Sequence, residues 1–373
     1  MQVPGDDFTI GVEEEFQIIH PETRALRQRA GRILPEATAA VGDRVTNELY
    51  LSQIEIGTPV CRTLAEVRAE VTRLRRAVIA AAAAHGSTIA AAGTHPFSHW
   101  DDQALTPKPR YFGLADDYQQ LTREQVICGC HVHVGIADRE AAVQVMNRVR
   151  PWIFPLLALS ANSPFWLGHD TGFASYRTEI FGRFPTAGTP LPFASRAEYD
   201  ALVADLVATG SIEDASKIYW DVRPSSHVET IEFRIADVAA TIDETVMLAG
   251  LSRALARACH EAALRGDPVE PARPEFLQLA KFRATRYGMA GELIDVATRR
   301  SVPAAEAVAT FLAFLRPTLE AAGEWDEVSA LVRRTIESGT GAERQRAAYR
   351  RNGRFEDVVD LLVEETARGT GEG

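Results

Sequence analysis

Four short segments of the chain alternate apolar residues with glutamate, histidine or arginine, the residue types that ligate metal ions and bind anions. Alternation of this kind is typical of β-strands, in which successive side chains point to opposite faces of a sheet. Each segment therefore carries its polar side chains on one face and its apolar side chains on the other. The segments are GVEEEF at 11–16, QIEIGTP at 53–59, CHVHVG at 130–135 and IEFRIAD at 231–237.

The parity of the residue numbers assigns the polar side chains to one common surface. In the first segment Glu13 and Glu15 share a face, whereas Glu14 lies on the opposite face. If the apolar faces of all four segments pack into one core, the polar side chains of the other three segments join the same surface. Those side chains are Glu55, His131, His133, Glu232 and Arg234.

Carboxylates gathered on one surface repel each other, so we expect a cation among them. At an effective dielectric constant of about 20, two such charges roughly 4 Å apart repel by about 4 kcal/mol. Oxygen donors with few nitrogens and no thiolate suit Mg²⁺, and the imidazoles make Mn²⁺ the alternative. A rim of solvated salt bridges would explain one such strand more readily than four. The pattern therefore predicts a divalent-metal site on this sheet face.

The composition bounds the class of protein and its partners. The chain has 373 residues, of which 46% are hydrophobic and 24% charged, as in ordinary globular proteins. Its net charge of −11 argues against a nucleic-acid or anionic-membrane partner. No stretch approaches the roughly 20 apolar residues of a membrane span, and the start MQVPGDDF lacks the pattern of a signal peptide. We therefore expect a cytoplasmic protein.

The four cysteines form no CxxC pair, and we expect buried thiols.

Two helices are predicted from their capping residues and apolar spacing. Thr63, with Glu66 three residues later, predicts the start of a helix that ends at Gly86. Asp138 predicts the start of a long helix that bends near Pro151.

Strands and helices are interspersed in the first part of the chain, and the last third is predicted to contain helices and no strands. This order predicts an α+β fold with a mostly antiparallel sheet, helices on one face and the site on the other. We expect a single catalytic domain over residues 1–373, with the sheet and site in 8–238, a helical buttress over 239–367 and a disordered tail at 368–373.

Seven short motifs occur in order along the chain: TIGVEEEF, QIEIGTPV, GTHPF, CGCHVHVG, NSPFWLG, TGFASYR and TIEFRIAD. Together they resemble the type 2 glutamate–cysteine ligases, also called carboxylate–amine ligases, of the glutamine synthetase-like superfamily. The resemblance covers residues 8–240 and, more loosely, the helical part that follows. It implies a curved antiparallel sheet that holds MgATP and an amino acid, which agrees with the polar sheet face derived above.

The resemblance also implies roles for individual side chains. Arg177 and Arg234 would bind nucleotide and stabilise the transferring phosphoryl group, and Arg223 would contact phosphate or a substrate carboxylate. Asn162, Ser175, Tyr176 and His133 are candidate substrate contacts. The implied metal ligands, among which Glu48 precedes Glu55 by seven residues, are Glu13, Glu15, Glu48, Glu55, His131 and Glu232.

The implied reaction is ATP-dependent joining of the γ-carboxylate of glutamate to an amine through an acyl phosphate. The family name implies cysteine as the amine, and two or three Mg²⁺ ions would bridge the phosphate oxygens. A ligase for a different amine stays open. A two-metal hydrolase also stays open; the HxH strand favours it, and the predicted lack of strands late in the chain opposes it. The third possibility is a catalytically silent nucleotide-binding protein. A homodimer is predicted by analogy alone.

Overall fold

A computed structural model describes residues 8–371, and its central feature is a seven-stranded sheet with entirely antiparallel pairing. The order of six strands is β2-β3-β1-β5-β9-β8, with β4 also paired to β1, and β6-β7 and β10-β11 form separate two-stranded sheets. The strands are β1 (Ile10–Ile19), β2 (Val45–Asn47), β3 (Gln53–Gly57), β4 (Thr88–Ala90), β5 (Gly129–Gly135), β6 (Phe165–Trp166), β7 (His169–Asp170), β8 (Val222–Pro224), β9 (Thr230–Asp237), β10 (Glu292–Asp295) and β11 (Arg300–Pro303).

The helices lie between and after the sheet strands, and the last six follow β9. They are α1 (Ala30–Val41), α2 (Leu64–Ala84), α3 (Pro109–Tyr118), α4 (Gln120–Arg123), α5 (Arg139–Val149), α6 (Phe154–Ser160), α7 (Tyr176–Phe181), α8 (Arg196–Ala208), α9 (Ile242–Leu264), α10 (Pro274–Tyr287), α11 (Ala304–Ala321), α12 (Trp325–Ser338), α13 (Gly341–Asn352) and α14 (Phe355–Ala367). No helix in the described residues is long and apolar enough to cross a membrane.

The capping prediction for α2 is confirmed. The Thr63 hydroxyl accepts a hydrogen bond from the Glu66 N–H at 3.1 Å, which satisfies one of the free amides of the first turn. The helix ends at Ala84, and Gly86 follows with φ +62°, a conformation that glycine adopts without strain.

The register of the sheet aligns the predicted polar side chains across neighbouring strands. Strand β1 lies between β3 and β5, and β5 pairs in turn with β9. Because directly opposite residues point to the same face, these pairings collect the side chains into one cluster. The Cα partners are Glu15 with Glu55, Glu13 with His131, and His133 with Glu232.

The opposite face of the sheet is apolar and is covered by helices. Val12, Val132 and Phe233 are buried there in one cluster with residues of α5, α6 and α9. Helix α9 begins with a capping box between Thr241 and Glu244 and is buried along most of its length. The predicted α+β fold, with helices on one face of an antiparallel sheet and a helical C-terminal region, is confirmed.

One acidic residue lies among these apolar side chains. Glu14 and Arg75 are both fully buried, and Arg75 donates from Nη2 to Glu14 Oε1 at 2.6 Å and from Nε to Oε2 at 2.9 Å. Thr245 Oγ1 also donates to Glu14, and Arg75 reaches the Ala239 carbonyl. The exclusion of Glu14 from the polar face by parity is thus correct.

One sequence prediction about a helix is wrong. The helix that begins after Asp138 does not bend near Pro151 but ends at Val149, and α6 begins separately at Phe154. Proline lacks an N–H and clashes with the preceding turn, so Pro151 is excluded from a helix interior. Pro155 is accommodated in the first turn of α6, where no N–H is needed.

The last third of the chain does contain strands, contrary to our prediction. The hairpin β10–β11 was missed because each strand has only four residues, too few for an alternating pattern to be recognised. Asp295 stabilises its turn by accepting the N–H groups of Ala297 and Thr298, and Leu293 is buried in the main core.

The tail that we predicted to be disordered is packed as far as the structure describes it. Thr370 is fully buried, and its carbonyl accepts a hydrogen bond from Arg76 Nε at 2.6 Å. A composition of glycine and threonine suggests disorder, but it does not reveal an arginine on α2 that holds the backbone. Residues 372–373 lie outside the described residues.

Candidate active site

A cleft of about 470 Å³ lies over the polar face of the sheet. Strands β1, β3, β5 and β9 form its floor, and α3, α7 and the segment before β8 form its walls. All nine side chains that we predicted for metal or nucleotide line it, together with His133. The nine are Glu13, Glu15, Glu48, Glu55, His131, Arg177, Arg223, Glu232 and Arg234. The cleft therefore collects groups that are up to about 220 residues apart in sequence.

The imidazole of His131 lies in the cleft between two carboxylates. Its Nδ1 is 3.1 Å from Glu13 Oε2, and its Nε2 is 3.9 Å from Glu15 Oε1. Glu13 Oε1 is also 3.4 Å from Nε2 of His133, whose Nδ1 is hydrogen-bonded to Thr230 Oγ1 at 2.9 Å. Burial opposes ionisation of Glu13, but the hydrogen bonds from His131 and His133 outweigh it and hold the pKa of Glu13 well below its usual value.

The two histidines respond in opposite directions to this environment. Burial, together with the nearby Arg234, lowers the pKa of His131. Burial also disfavours the charged form of His133, but its hydrogen bond with Glu13 outweighs burial and raises the pKa of His133. His131 is therefore the one better suited to act as a neutral nitrogen ligand.

Three further carboxylates lie at the end of the cleft away from the arginines, which we call the acidic end. They have little positive charge beside them. Burial raises the pKa of Glu15 and of Glu48, and burial plus the neighbouring carboxylates raises the pKa of Glu55 well above its usual value. Glu15 accepts the Gly129 N–H at 2.6 Å, and Glu55 accepts the Thr46 hydroxyl at 3.1 Å. Neutral donors of this kind satisfy hydrogen bonds but leave the clustered charge uncompensated.

The other end of the cleft is dominated by arginines. Glu232 accepts hydrogen bonds from Arg223 Nε at 2.8 Å and from Arg234 Nη1. Burial opposes ionisation of Glu232, but the charges of Arg234 and Arg223 outweigh it and lower the pKa of this carboxyl. Arg177 is buried, and its Nη2 donates to the Arg234 carbonyl at 3.4 Å while its Nε has no partner within the described residues. An anion in the cleft could accept from Arg177 without breaking an ion pair.

The acidic end fits a divalent cation by the chemistry of its donors. Two groups of three side chains could each hold an ion, because within each group the ligand atoms lie within 4.8 Å of one another. One group is Glu13, His131 and Glu232, and the other is Glu15, Glu55 and His131. The donors are carboxylate oxygens with one imidazole nitrogen, the set preferred by Mg²⁺ or Mn²⁺ over softer metals. Binding of such an ion would offset the burial and the repulsion that together raise the pKa of Glu15 and Glu55.

A second cavity, of about 360 Å³, lies at the ends of strands β1 and β3 and borders the acidic cluster. It shares Glu13, Glu55 and His133 with the main cleft. At its rim two apolar side chains are exposed, Val60 by 73% and Val228 by 52%. The carboxylates therefore lie where two openings meet, so that two reactants could approach them from different sides.

Three predicted substrate contacts do not line either cavity. Asn162 is buried, and its Nδ2 donates to the carbonyls of Ala91 and Val238, both at 2.9 Å. Tyr176 packs against Trp166 in an aromatic cluster, and the Ser175 hydroxyl donates to a buried aspartate described below. Motif position alone suggested these residues, but the polar atoms of Asn162 and Ser175 bond within the protein interior, and the Tyr176 ring packs among other aromatic rings. Of the predicted substrate contacts, only His133 lies in the cleft.

Sequence reasoning missed several residues that line the cleft, which lie on helix α3 and on irregular segments. Helix α3 and the residue before it bring Lys108, Arg110 and Tyr111 over the acidic end, and Arg110 Nη2 donates to Ser216 Oγ on the opposite wall at 3.3 Å. Tyr219 lines the arginine end. The only available signal was the segment KPRYF, which is rich in turn-forming and cationic residues but has no alternation to assign a face.

Comparison with known proteins identifies the family. A family model described as glutamate–cysteine ligase family 2 matches residues 9–365. The chain belongs to this family. A relative from Frankia alni, provisionally named glutamate–cysteine ligase 2-2, is 44% identical over 96% of this chain and 97% of its own length. A second, from Rhodopirellula baltica and provisionally named glutamate–cysteine ligase 2, is 43% identical over 98% of this chain and 97% of its own.

Solved structures support the fold. A glutamate–cysteine ligase from Francisella tularensis, solved in complex with AMP, matches all of this chain and 90% of its own with a TM-score of 0.72 at 12% identity. A bifunctional glutathione synthetase from Pasteurella multocida matches 97% of this chain and 53% of its own with a TM-score of 0.67 at 16% identity. At these identities the likeness concerns the fold alone. The predicted family, and with it the class of ATP-dependent carboxylate–amine ligases, is confirmed.

Proposed function

We propose that this protein is a glutamate–cysteine ligase that activates the γ-carboxylate of glutamate with ATP and joins it to the amine of cysteine. The observation that carries the proposal is the cleft itself, in which a carboxylate cluster with raised pKa values lies beside three arginines. A reaction that transfers a metal-bound phosphoryl group to a carboxylate needs both kinds of group close together.

In the first step, a γ-carboxylate oxygen of glutamate forms a bond to the γ-phosphorus of ATP as the bond to the bridging oxygen breaks and ADP leaves. In the second, the amine nitrogen attacks the acyl carbon, loses a proton and displaces inorganic phosphate. Both steps gather negative charge in the cleft. Arg177 and Arg234 would hold that charge, and Arg223 would keep Glu232 oriented by its 2.8 Å hydrogen bond.

Mg²⁺, with Mn²⁺ as the alternative, would neutralise the phosphate oxygens when bound at the acidic end. The proposed ligands are those named from the sequence, namely Glu13, Glu15, Glu48, Glu55, His131 and Glu232. Glu232 differs from the others because two arginines already neutralise it. We therefore propose that it contributes to metal binding less than Glu55 does.

The two cavities suggest how the reactants are arranged. The exposed side chains of Val60 and Val228 offer apolar contacts to a purine base, so we propose that ATP enters from the second cavity with its phosphates toward Glu13 and Glu55. Glutamate would then occupy the main cleft, where its carboxylates meet the arginines. This arrangement limits the predicted nucleotide contacts of Arg177, Arg223 and Arg234 to the phosphoryl group that is transferred.

The decisive experiment measures ADP formation by the purified protein with ATP, Mg²⁺ and glutamate, with and without a panel of amines that includes cysteine. Glu55→Gln is the variant that removes one carboxylate charge with little change in shape. Release of ADP that cysteine stimulates most strongly, and that the variant loses, would support the proposal. Stimulation by another amine alone would replace cysteine as the acceptor, and the absence of nucleotide turnover with every amine would contradict the ligase.

The alternatives predict different results in the same assay. A two-metal hydrolase would turn over a substrate with metal and without nucleotide, whereas a silent nucleotide-binding protein would bind ADP without turnover. A homodimer, the absence of a nucleic-acid partner and a cytoplasmic location stay predictions of the sequence.

A further inference from the structure

A buried carboxylate that lines neither cavity lies directly behind Arg177. Asp237, the last residue of β9, is fully buried and is paired across the sheet with Gly129 of β5. No cationic side chain lies within ion-pair distance of it among the described residues, and it accepts three hydrogen bonds from neutral groups. A buried carboxylate that forms no direct ion pair is costly, so its place behind Arg177 calls for an explanation beyond packing.

The three donors to Asp237 lie on the segment that precedes Arg177 and on a second segment that bonds to the Arg177 backbone. Its Oδ2 accepts from the Asn162 N–H at 2.8 Å and from Ser163 Oγ at 2.7 Å, and its Oδ1 accepts from Ser175 Oγ at 2.7 Å. Ser163 Oγ in turn accepts the backbone N–H of Arg177 at 3.0 Å. One carboxylate is thereby linked through two serine hydroxyls to the backbone from which the arginine extends.

The space around the arginine is equally restricted on the cleft side. A Cβ atom added to Gly129 would lie 2.2 Å from Arg177 Nη2, so the guanidinium lies directly against the glycine backbone. A Cβ atom added to Gly93 would lie 2.9 Å from Asp237 Cγ. The two glycines leave room for the carboxylate and the guanidinium, and nothing larger than hydrogen fits at either position without a shift.

We propose that Asp237 is the positioning residue of Arg177: through the hydroxyls of Ser163 and Ser175 it fixes where the guanidinium meets the anion in the cleft. It also places a negative charge behind the arginine that balances its positive charge in the absence of substrate. The inference rests on the proposed function, because it takes Arg177 as the group that binds the reacting anion. Asp237 itself touches neither substrate nor metal.

The test begins with Asp237→Asn, which keeps the shape of the side chain. The amide oxygen can accept from Asn162 and Ser163, and the Ser175 hydroxyl can rotate to accept from the amide nitrogen, so the variant is expected to fold. We expect kcat to fall about tenfold because the arginine is held less firmly, with the KM for ATP changed less than about twofold. Ser163→Ala, which removes the hydroxyl between Asp237 and the Arg177 N–H, is the second variant and should act in the same direction.

A double-mutant cycle with Arg177→Lys separates positioning from a general structural role. If Asp237 acts through Arg177, Asp237→Asn should lower kcat less than about twofold when Arg177 is already lysine. An equal loss in both backgrounds would overturn the proposal. Glu365→Gln is the matched control, because Glu365 is also a buried carboxylate but pairs with Arg344. It should leave kcat and both KM values unchanged.

A crystal structure of Asp237→Asn gives a result that does not depend on turnover. We expect the Arg177 guanidinium to move away from Gly129 by about 1 Å or more, a displacement large enough to affect catalysis. A guanidinium in its original place would overturn the inference even if the enzyme were active. If the wild-type protein fails to turn over ATP with glutamate, the proposed function fails, and this structure still decides whether Asp237 positions Arg177.

Discussion

Strand β1 carries three consecutive glutamates, and their charges are balanced differently on its two faces. On the helix-covered face, both oxygens of Glu14 are bonded to the guanidinium of Arg75, and both side chains are fully buried. On the cleft face, Glu15 is bonded to a backbone N–H and lies near other carboxylates, and burial raises its pKa. The same residue type is thus a structural ion partner at one position and an uncompensated charge at the next.

The difference teaches that burial alone does not mark a functional carboxylate. Glu14 is more deeply buried than Glu15, yet its charge is balanced inside the fold, so it requires nothing from a ligand. The cleft face leaves its negative charge to be balanced by a bound cation, at a cost to the stability of the metal-free protein. We expect changes on the first face to affect folding and changes on the second to affect activity.

The largest expected effect is on the helix-covered face. Arg75→Met should lower the free energy of unfolding by about 3–5 kcal/mol, because it leaves the Glu14 charge buried without a partner. Urea denaturation monitored by circular dichroism measures this change. The double variant Arg75→Met with Glu14→Gln should recover part of the loss, and equal losses in the single and double variants would contradict a role for the unpaired charge.

On the cleft face, Glu55→Gln should have the opposite pattern. We expect ADP formation to fall about 100-fold through weaker metal binding. The free energy of unfolding of the metal-free protein should stay the same or rise, since the change removes a repulsive charge. Glu14→Gln serves as the matched control on the same sheet and should lose stability instead. A loss of stability in Glu55→Gln as large as in Glu14→Gln would break the comparison.

The effect of pH on stability tests the charge balance of the cleft. A carboxyl whose pKa is raised on folding binds a proton more readily in the folded protein, so the metal-free protein should lose stability as pH rises from about 4.3, the unfolded value, through the raised pKa values of Glu15, Glu48 and Glu55. The pKa shifts of His131 and His133 have opposite signs, so their contributions oppose each other.

Mg²⁺ should reverse this loss, because metal and protons compete for the same oxygens. At a metal concentration about 30 times Kd, we expect a stabilisation of about 2 kcal/mol. Thermal unfolding with and without Mg²⁺ measures it, and the increase in Tm should be larger at pH 7.5 than at pH 5 by this competition. An equal increase at both pH values, or an unchanged response in Glu55→Gln, would contradict a metal site built on these carboxylates.

The smallest expected effect comes from a single methyl group. Gly129→Ala places a Cβ atom against the Arg177 guanidinium and should lower kcat about tenfold by displacing it. Gly31→Ala, a glycine of α1 with no atom within 4 Å of the added Cβ and outside both cavities, is the control and should keep kcat unchanged. Steady-state kinetics of the two variants makes the comparison, and equal activities would mean that Arg177 tolerates the shift.

Much of the site was predictable because strand parity is a local property. Alternation in β1, β3, β5 and β9 assigned Glu13, Glu55, His131 and Glu232 to one face, and the structure places all four in the cleft. Residues on loops and short helices had no such rule. Nothing in the local sequence indicated that Asn162 and Tyr176 would be used inside the protein, or that Lys108 and Arg110 would lie over the cleft.

By itself, the sequence determined the family, the antiparallel sheet and the polar face of each strand. The order of the motifs and the two-residue period of the strands are both properties of the linear sequence. Only the tertiary structure decided which charges are balanced. The partner of Glu14 lies 61 residues away, and the donors to Asp237 lie 62 to 75 residues away. Such pairings depend on how helices and loops pack onto the sheet, and packing in three dimensions leaves no period in the sequence from which it could be read.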